Sequence, residues 1–268
     1  MRRIFASIIT LGAIVAIAAT SCKKDDTICY NNVTMGNIDG ETIISDQGNT
    51  FDITESYYGK VDFSWFEYGR VILNCDVLRK TDEKRYDIRL TSIASVLTKS
   101  PVKASTITDP ASEVNVENAI NIREMWYSGG YLNMLIEFAV KQGSQTKHLI
   151  NLVHHDVFTA DEESEAANIY AFTLRHNAFG EVPNQDDFYT TSLGYVSFPV
   201  ASLITEDKAT LIIQWESHKF ENGRYNFYES ESASEEFKWE RLGFEHTTGI
   251  VKAFTNPNQK LDMKLLAR

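Results

Sequence analysis

The chain is short of cysteine, of proline and of positive charge. Its 268 residues include three cysteines and five prolines, and 26 lysines and arginines against 37 aspartates and glutamates leave a net charge of −11. Each shortage excludes something. Binding a polyanion is driven largely by lysine and arginine displacing counterions, and there is no basic stripe, so no nucleic-acid partner is expected. A glycine-rich phosphate loop, a paired CxxC and an HExxH helix are all missing, and neither a cofactor nor a metal is expected. After the first 21 residues no uncharged run is long enough to cross a bilayer as a helix. What is present is a globular composition, 43% hydrophobic and 12% aromatic, enough for a real core across most of the length.

The N-terminus is an address. Arg2 and Arg3 precede an uncharged stretch, residues 4–18, that is too short for a permanent span and stops abruptly at Ala19-Thr20-Ser21-Cys22. Small side chains before a cysteine nucleophile resemble the lipobox of bacterial lipoproteins, with Ala19 in place of the more usual leucine. Residues 1–21 are therefore expected to be a cleaved signal peptide and Cys22 a lipidated N-terminus that partners the bilayer. Several acyl chains on one residue hold stably, at about 0.8 kcal/mol per buried methylene. Lys23-Lys24-Asp25-Asp26 resembles the surface-export signal of Bacteroidota-type lipoproteins, which implies an outer-membrane anchor facing outward; the periplasmic face is the alternative. Cys29 and Cys75 remain as candidates for a disulfide in an oxidising compartment, worth about 4 kcal/mol in the chain-entropy picture.

Strand signals dominate the rest. Val71, Leu73, Cys75 and Val77 share one strand face, which should point inward; Tyr86, Ile88 and Leu90 alternate with Arg85, Asp87 and Arg89. Ile44 and residues 51–53 and 61–66 add short strands, so residues 33–108, after a tether at 22–32, suit a small closed barrel. Prolines and small polar residues at 99–112 mark a boundary. Longer strands follow at 119–126, 131–140, 146–154, 169–175, 193–200 and 210–215, the set expected of an antiparallel β-sandwich over 109–218. Residues 219–268 form an extension of undetermined fold, in which Ser232 and Glu235 match a capping box for a short helix over 235–242.

The segments 70–81 (RVILNCDVLRKT), 86–100 (YDIRLTSIASVLTKS), 173–180 (TLRHNAFG) and 194–200 (GYVSFPV) together resemble the NigD-like lipoproteins. The resemblance covers about residues 30–218. It implies an all-β chain, an OB-like barrel followed by a β-sandwich, and an immunity-like association with bacteriocins. It transfers no catalytic residue.

Candidate sites are weighed on chemistry. His148, His154, His155 and Asp156 are zinc-ligand types, but six residues along one strand face put His148 about 20 Å from His154, and polar groups at a strand end need no ion. Arg175 and His176 resemble an anion clamp and a base, yet no nucleophile accompanies them, and Asn177 suits a turn. The acids Asp161, Glu162, Glu163, Glu165, Asp186 and Asp187 read as solvated loops. Trp126 and Tyr127, just before Gly129-Gly130, and Trp65 on the barrel are the candidate surface for a protein or glycan partner. The expected function is a non-enzymatic, lipid-anchored binding protein. A hydrolase with two acids converging in one cleft and a pilin-like assembly component exchanging edge strands are the alternatives.

Overall fold

In the computed structural model, residues 28–155, 168–184, 186–206, 208–240 and 266–267 are described. The expected signal peptide at 1–21, Cys22, Asp156 and the acids at 161–165 lie outside them. No α-helix occurs among the described residues; three short 3-10 turns do. The chain is all-β.

Five strands, β1 (Ile28–Asp39), β2 (Thr42–Ser45), β3 (Thr50–Ser56), β4 (Arg70–Asp82) and β5 (Arg85–Ser95), close a small barrel in the order β1-β2-β3-β5-β4. Closure leaves no free edge. The expected alternation holds on β4: Val71, Leu73, Cys75 and Val77 are buried with Ile43, Phe51, Ile88 and Leu90 in one cluster. Two expectations are corrected. Residues 61–66 are not a strand, because the Asp62 carboxylate accepts from Ser64 N–H at 3.0 Å and caps a 3-10 turn at Phe63–Trp65. The Cys29–Cys75 bridge is not formed: Cys75 is a free buried thiol. In the β1/β4 register Asp76, not Cys75, stands opposite Cys29. Burial pushes the Cys75 thiol up to about 12, which makes it inert.

Two short strands, β6 (Leu97–Thr98) and β7 (Val102–Lys103), already belong to the second unit, so the chain leaves the barrel soon after Ser95. That unit is a sandwich. One sheet runs β6-β12-β9-β8 and the other β14-β13-β11-β10-β15, with β7 beside β10; the remaining strands are β8 (Asn121–Ser128), β9 (Tyr131–Lys141), β10 (His148–His154), β11 (Asn168–Asn177), β12 (Tyr189–Pro199), β13 (Lys208–Glu221), β14 (Arg224–Glu240) and β15 (Leu266–Ala267). Leu132, Met134, Ile136, Phe138 and Val140 line one face of β9, as the period-2 pattern predicts, and meet Ile150, Leu152, Phe172, Leu174, Leu211 and Ile213 from the opposite sheet. The short helix expected over 235–242 is replaced through Glu240 by strand, with Glu235 paired to Ile213 and Phe237 to Leu211. A two-turn helix cannot compete with a ladder along β13. The hairpin turns at Asn222 and Gly223, both at positive φ, the backbone that an Asn-Gly pair adopts most readily. Residues 219–240 are thus a continuation of the sandwich.

Barrel and sandwich are joined by a buried polar knot. Arg70 on β4 is fully buried, and each of its N–H donors has an acceptor: Nε to Ser197 Oγ at 3.0 Å, Nη1 to Asp46 Oδ1 at 2.8 Å and Asn37 Oδ1 at 3.2 Å, Nη2 to Asp46 Oδ2 at 2.7 Å and Asn133 Oδ1 at 3.0 Å. Ser128 donates to Asp46 in turn, and the Tyr131 ring lies 3.9 Å from the guanidinium carbon. Ser197, Asn133, Ser128 and Tyr131 belong to the sandwich, Asp46 and Asn37 to the barrel. Around the knot Met35, Ile72, Val96 and Tyr195 form an apolar seam. Gly129 sits at φ +57, and a Cβ there would lie 2.6 Å from the Asp46 carboxyl carbon. Gly129→Ala is therefore expected to push Asp46 off Arg70 and lower the melting temperature by several degrees; an unchanged melting temperature would show that the approach is not required.

Candidate functional site

Three large aromatics stand out on the barrel. Tyr57, Tyr58 and Trp65 are 71%, 67% and 74% exposed, and all lie on the connection between β3 and β4. The connection is pinned from beneath, because Val61, Phe63 and Phe66 pack on the barrel core while the 3-10 turn presents Trp65 to solvent. Beside it lie two shallow hollows of about 460 and 480 Å³, which share Glu41, Lys60, Val61 and Phe63. The Gly69 carbonyl accepts from Ile38 N–H at 2.8 Å, so this tip sits at the Asp39 end of β1.

Trp126 and Tyr127 occupy other places. Trp126 is half-buried in the seam between barrel and sandwich, edge-on to Tyr195 with ring centroids 6.4 Å apart, and Tyr127 packs on the sandwich core. Both are corrected from surface to packing residues. The turn end that was expected to be open is covered by the barrel, which sequence spacing does not reveal.

The histidines are also regrouped. His154 stacks on Tyr170, and His155 Nε2 lies 2.8 Å from Thr173 Oγ1. His148, by contrast, reaches the neighbouring strand β11, where its Nδ1 lies 2.8 Å from His176 Nε2. Only the β10/β11 register, with Ile150 opposite His176, brings these two together. His218 on β13, packed against Phe227, joins His176 at a cavity of about 160 Å³ whose walls include His176, Glu181, His218, Phe227, Tyr228 and Glu229. Burial holds His176 down to about 3, helped by His148, and holds His218 down to about 4 against the pull of Glu137. Both are neutral near pH 7.

The acids around this cavity are committed elsewhere. Glu117 pairs with Arg175 at 3.1 Å and Glu229 with Lys219 at 3.2 Å. Burial raises the Glu181 carboxyl, but hydrogen bonds from Ser144 and Thr146 and the neighbouring His148 outweigh it and leave the group below its ordinary value. A carboxyl that must deliver a proton needs the opposite displacement. Asp187, expected in a loop, pairs with Lys141 at 2.9 Å. Among the described residues no group of three histidines, cysteines, aspartates or glutamates is arranged to hold a metal ion.

A closed five-stranded barrel knotted to a two-sheet sandwich defines a class of two-part all-β proteins. Within it, residues 104–229 match the family described as NigD-like C-terminal beta sandwich domain, in agreement with the resemblance read from the sequence. Similar solved structures include a NigD-like immunity protein from Bacteroides caccae, at 17% identity and TM-score 0.52, covering 79% of this chain and 96% of that one. A protein of unknown function from Bacteroides vulgatus is 18% identical with TM-score 0.53, covering 90% and 100%. A Bacteroides fragilis protein described as a lipoprotein is 11% identical with TM-score 0.51, covering 78% and 96%. These likenesses concern the fold. No curated protein matches the chain.

Proposed function

We propose that the chain is a non-enzymatic, lipid-anchored binding protein of the immunity type, displayed on the outer membrane, that meets a protein partner with the aromatic tip of its barrel. The observation that carries this reading is the exposure of Tyr57, Tyr58 and Trp65 together on one pinned connection. Rigid aromatics supply large contact area at little entropic cost, which is why they dominate the centres of interfaces.

Position supports the same reading. The lipid-bearing Cys22 precedes Ile28 by six residues, and Ile28 begins β1 at the end remote from the tip. The eleven steps from Ile28 to Asp39, at about 3.3 Å each, carry the tip roughly 36 Å along the strand from Ile28. A tethered module whose contact surface points away from its membrane suits capture of an incoming protein. One of the structurally similar proteins is itself a NigD-like immunity protein. The commitments of Glu117, Glu181 and Glu229 weigh against the hydrolase alternative.

The test is surface crosslinking of the intact lipoprotein on cells, comparing the native chain with Tyr58→Ala/Trp65→Ala. Recovery of a specific protein partner should fall at least about 30-fold, the equivalent of about 2 kcal/mol, with the melting temperature within about 1 °C. Undiminished recovery would move the contact surface off the barrel tip.

A further inference from the structure

Two imidazoles lie between the carboxylate of Glu181 and the carbonyl of Ala119, and they carry too few protons for the gaps they must fill. His176 Nδ1 lies 3.0 Å from the Ala119 carbonyl, which can only accept, so Nδ1 holds the proton and Nε2 of a neutral His176 is an acceptor. His148 Nδ1 must then donate across its 2.8 Å contact. That leaves a bare lone pair on His148 Nε2, facing Glu181 Oε2 at 3.8 Å. Both atoms are buried and have no hydrogen-bond partner, and 3.8 Å is too long to be a bond. Reversing both tautomers only transfers the conflict to the Ala119 carbonyl. Three gaps are served by two protons.

We propose that the gap between His148 and Glu181 is a proton-binding site whose occupancy sets one wall of the adjacent cavity. One proton taken from solvent makes His148 an imidazolium that donates twice, from Nδ1–H to His176 and from Nε2–H to Glu181; no other bond is made or broken. A charge-assisted bond of this kind closes to about 2.8 Å, so the carboxylate moves toward β10. Glu181, Val182 and Pro183 line the cavity opposite Phe227 and Tyr228, and this wall moves with it.

The surroundings set the balance. His148 faces the Phe138 ring of β9 at 5.0 Å, His176 of β11 and Glu181. The turn before β10 holds Glu181 through Ser144 and Thr146, the Lys141 backbone also reaches it, and the Lys141 ammonium is engaged by Asp187. His218 of β13 opposes charge on His176, and Glu137 acts on His218. Burial holds His148 below its ordinary value, but Glu181 pulls it up, whereas His176 has no carboxylate at its ring among the described residues, so His148 is the member of the chain placed to take the proton. Two protein ligands are too few for a structural metal ion, which takes four.

Imidazole ¹⁵N NMR of the full mature chain between pH 7.5 and 5 tests the proposal. His148 should titrate, with both ring nitrogens protonated at the acid end, while His176 stays singly protonated and the Val182 methyl shifts follow the same midpoint. In Glu181→Gln the carboxamide donates to the His148 lone pair, and the midpoint should fall by at least about one unit. If that variant does not fold, the native titration of His148 alone decides. A His148 that stays neutral to pH 5, as a bridging water would leave it, overturns the proposal. So does a midpoint unmoved by Glu181→Gln, or stoichiometric uptake of Zn²⁺ at pH 7.5 that Glu181→Gln abolishes.

Discussion

Replacing Arg70 by alanine is expected to lower stability by about 3–5 kcal/mol, because it leaves Asp46 charged, buried and deprived of its partner. The side chain pairs with Asp46 at 2.7 Å with neither group more than 1% exposed, and it also holds Asn133 and Ser197 of the sandwich. In a chain of this size that is a fall in melting temperature of about 10 °C or more. Calorimetry should also resolve two transitions where the native protein has one, since the knot is the polar link between barrel and sandwich. Arg70→Lys should be nearly as damaging, because an ammonium cannot reproduce a planar fork of donors. A cycle with Asp46→Asn separates lost attraction from stranded charge: in the Arg70→Ala background that second change should cost little or restore stability. A loss below about 1 kcal/mol for Arg70→Ala would mean that the apolar seam alone unites the two halves.

Acid should destabilise the protein well before its carboxylates are protonated. Unfolded histidine takes up a proton near pH 6.5, whereas folded His176 does so only at about 3 and His218 at about 4, chiefly through burial. Between these values the unfolded chain binds more protons than the native one, so stability rises with pH, is complete above about 6.5 and is lost progressively toward pH 4. At pH 5 each buried imidazole accounts for about 2 kcal/mol. Urea unfolding at pH 7.5 and pH 5 should therefore differ by about 4 kcal/mol, and His176→Gln/His218→Gln should flatten most of that difference. An unchanged stability between the two pH values would mean that the cavity opens to let these histidines charge. His148 is also held below its ordinary value, chiefly by burial, and Glu181 limits that displacement, so Glu181→Gln should steepen the acid dependence rather than relieve it.

Strand identity was legible from the two-residue period, even where, as at Ile72, Asn133 and Glu137, the opposite face is buried as well. Val71 to Val77 and Leu132 to Val140 follow that period, and the faces they predict are buried. The Asn222-Gly223 pair was an equally local signal for the last hairpin, yet the capping-box match at Ser232 and Glu235 drew the following segment toward helix. A short helix depends on its own hydrogen bonds, while the strand gains a partner that lies earlier in the chain. Trp65 was readable as a surface candidate. Trp126 was not, because what covers it is the barrel.

By itself, then, the sequence determined the acidic character, the all-β class and the division into barrel and sandwich, since each depends on composition or on the two-residue period of a pleated strand. Only the tertiary structure decided which groups meet. His148 and His176 became neighbours through a register between two strands, and Arg70 found Asp46, Asn133 and Ser197 through the docking of two domains. Such encounters are fixed by where strands align and how sheets pack, and the spacing of residues along a chain carries no record of either.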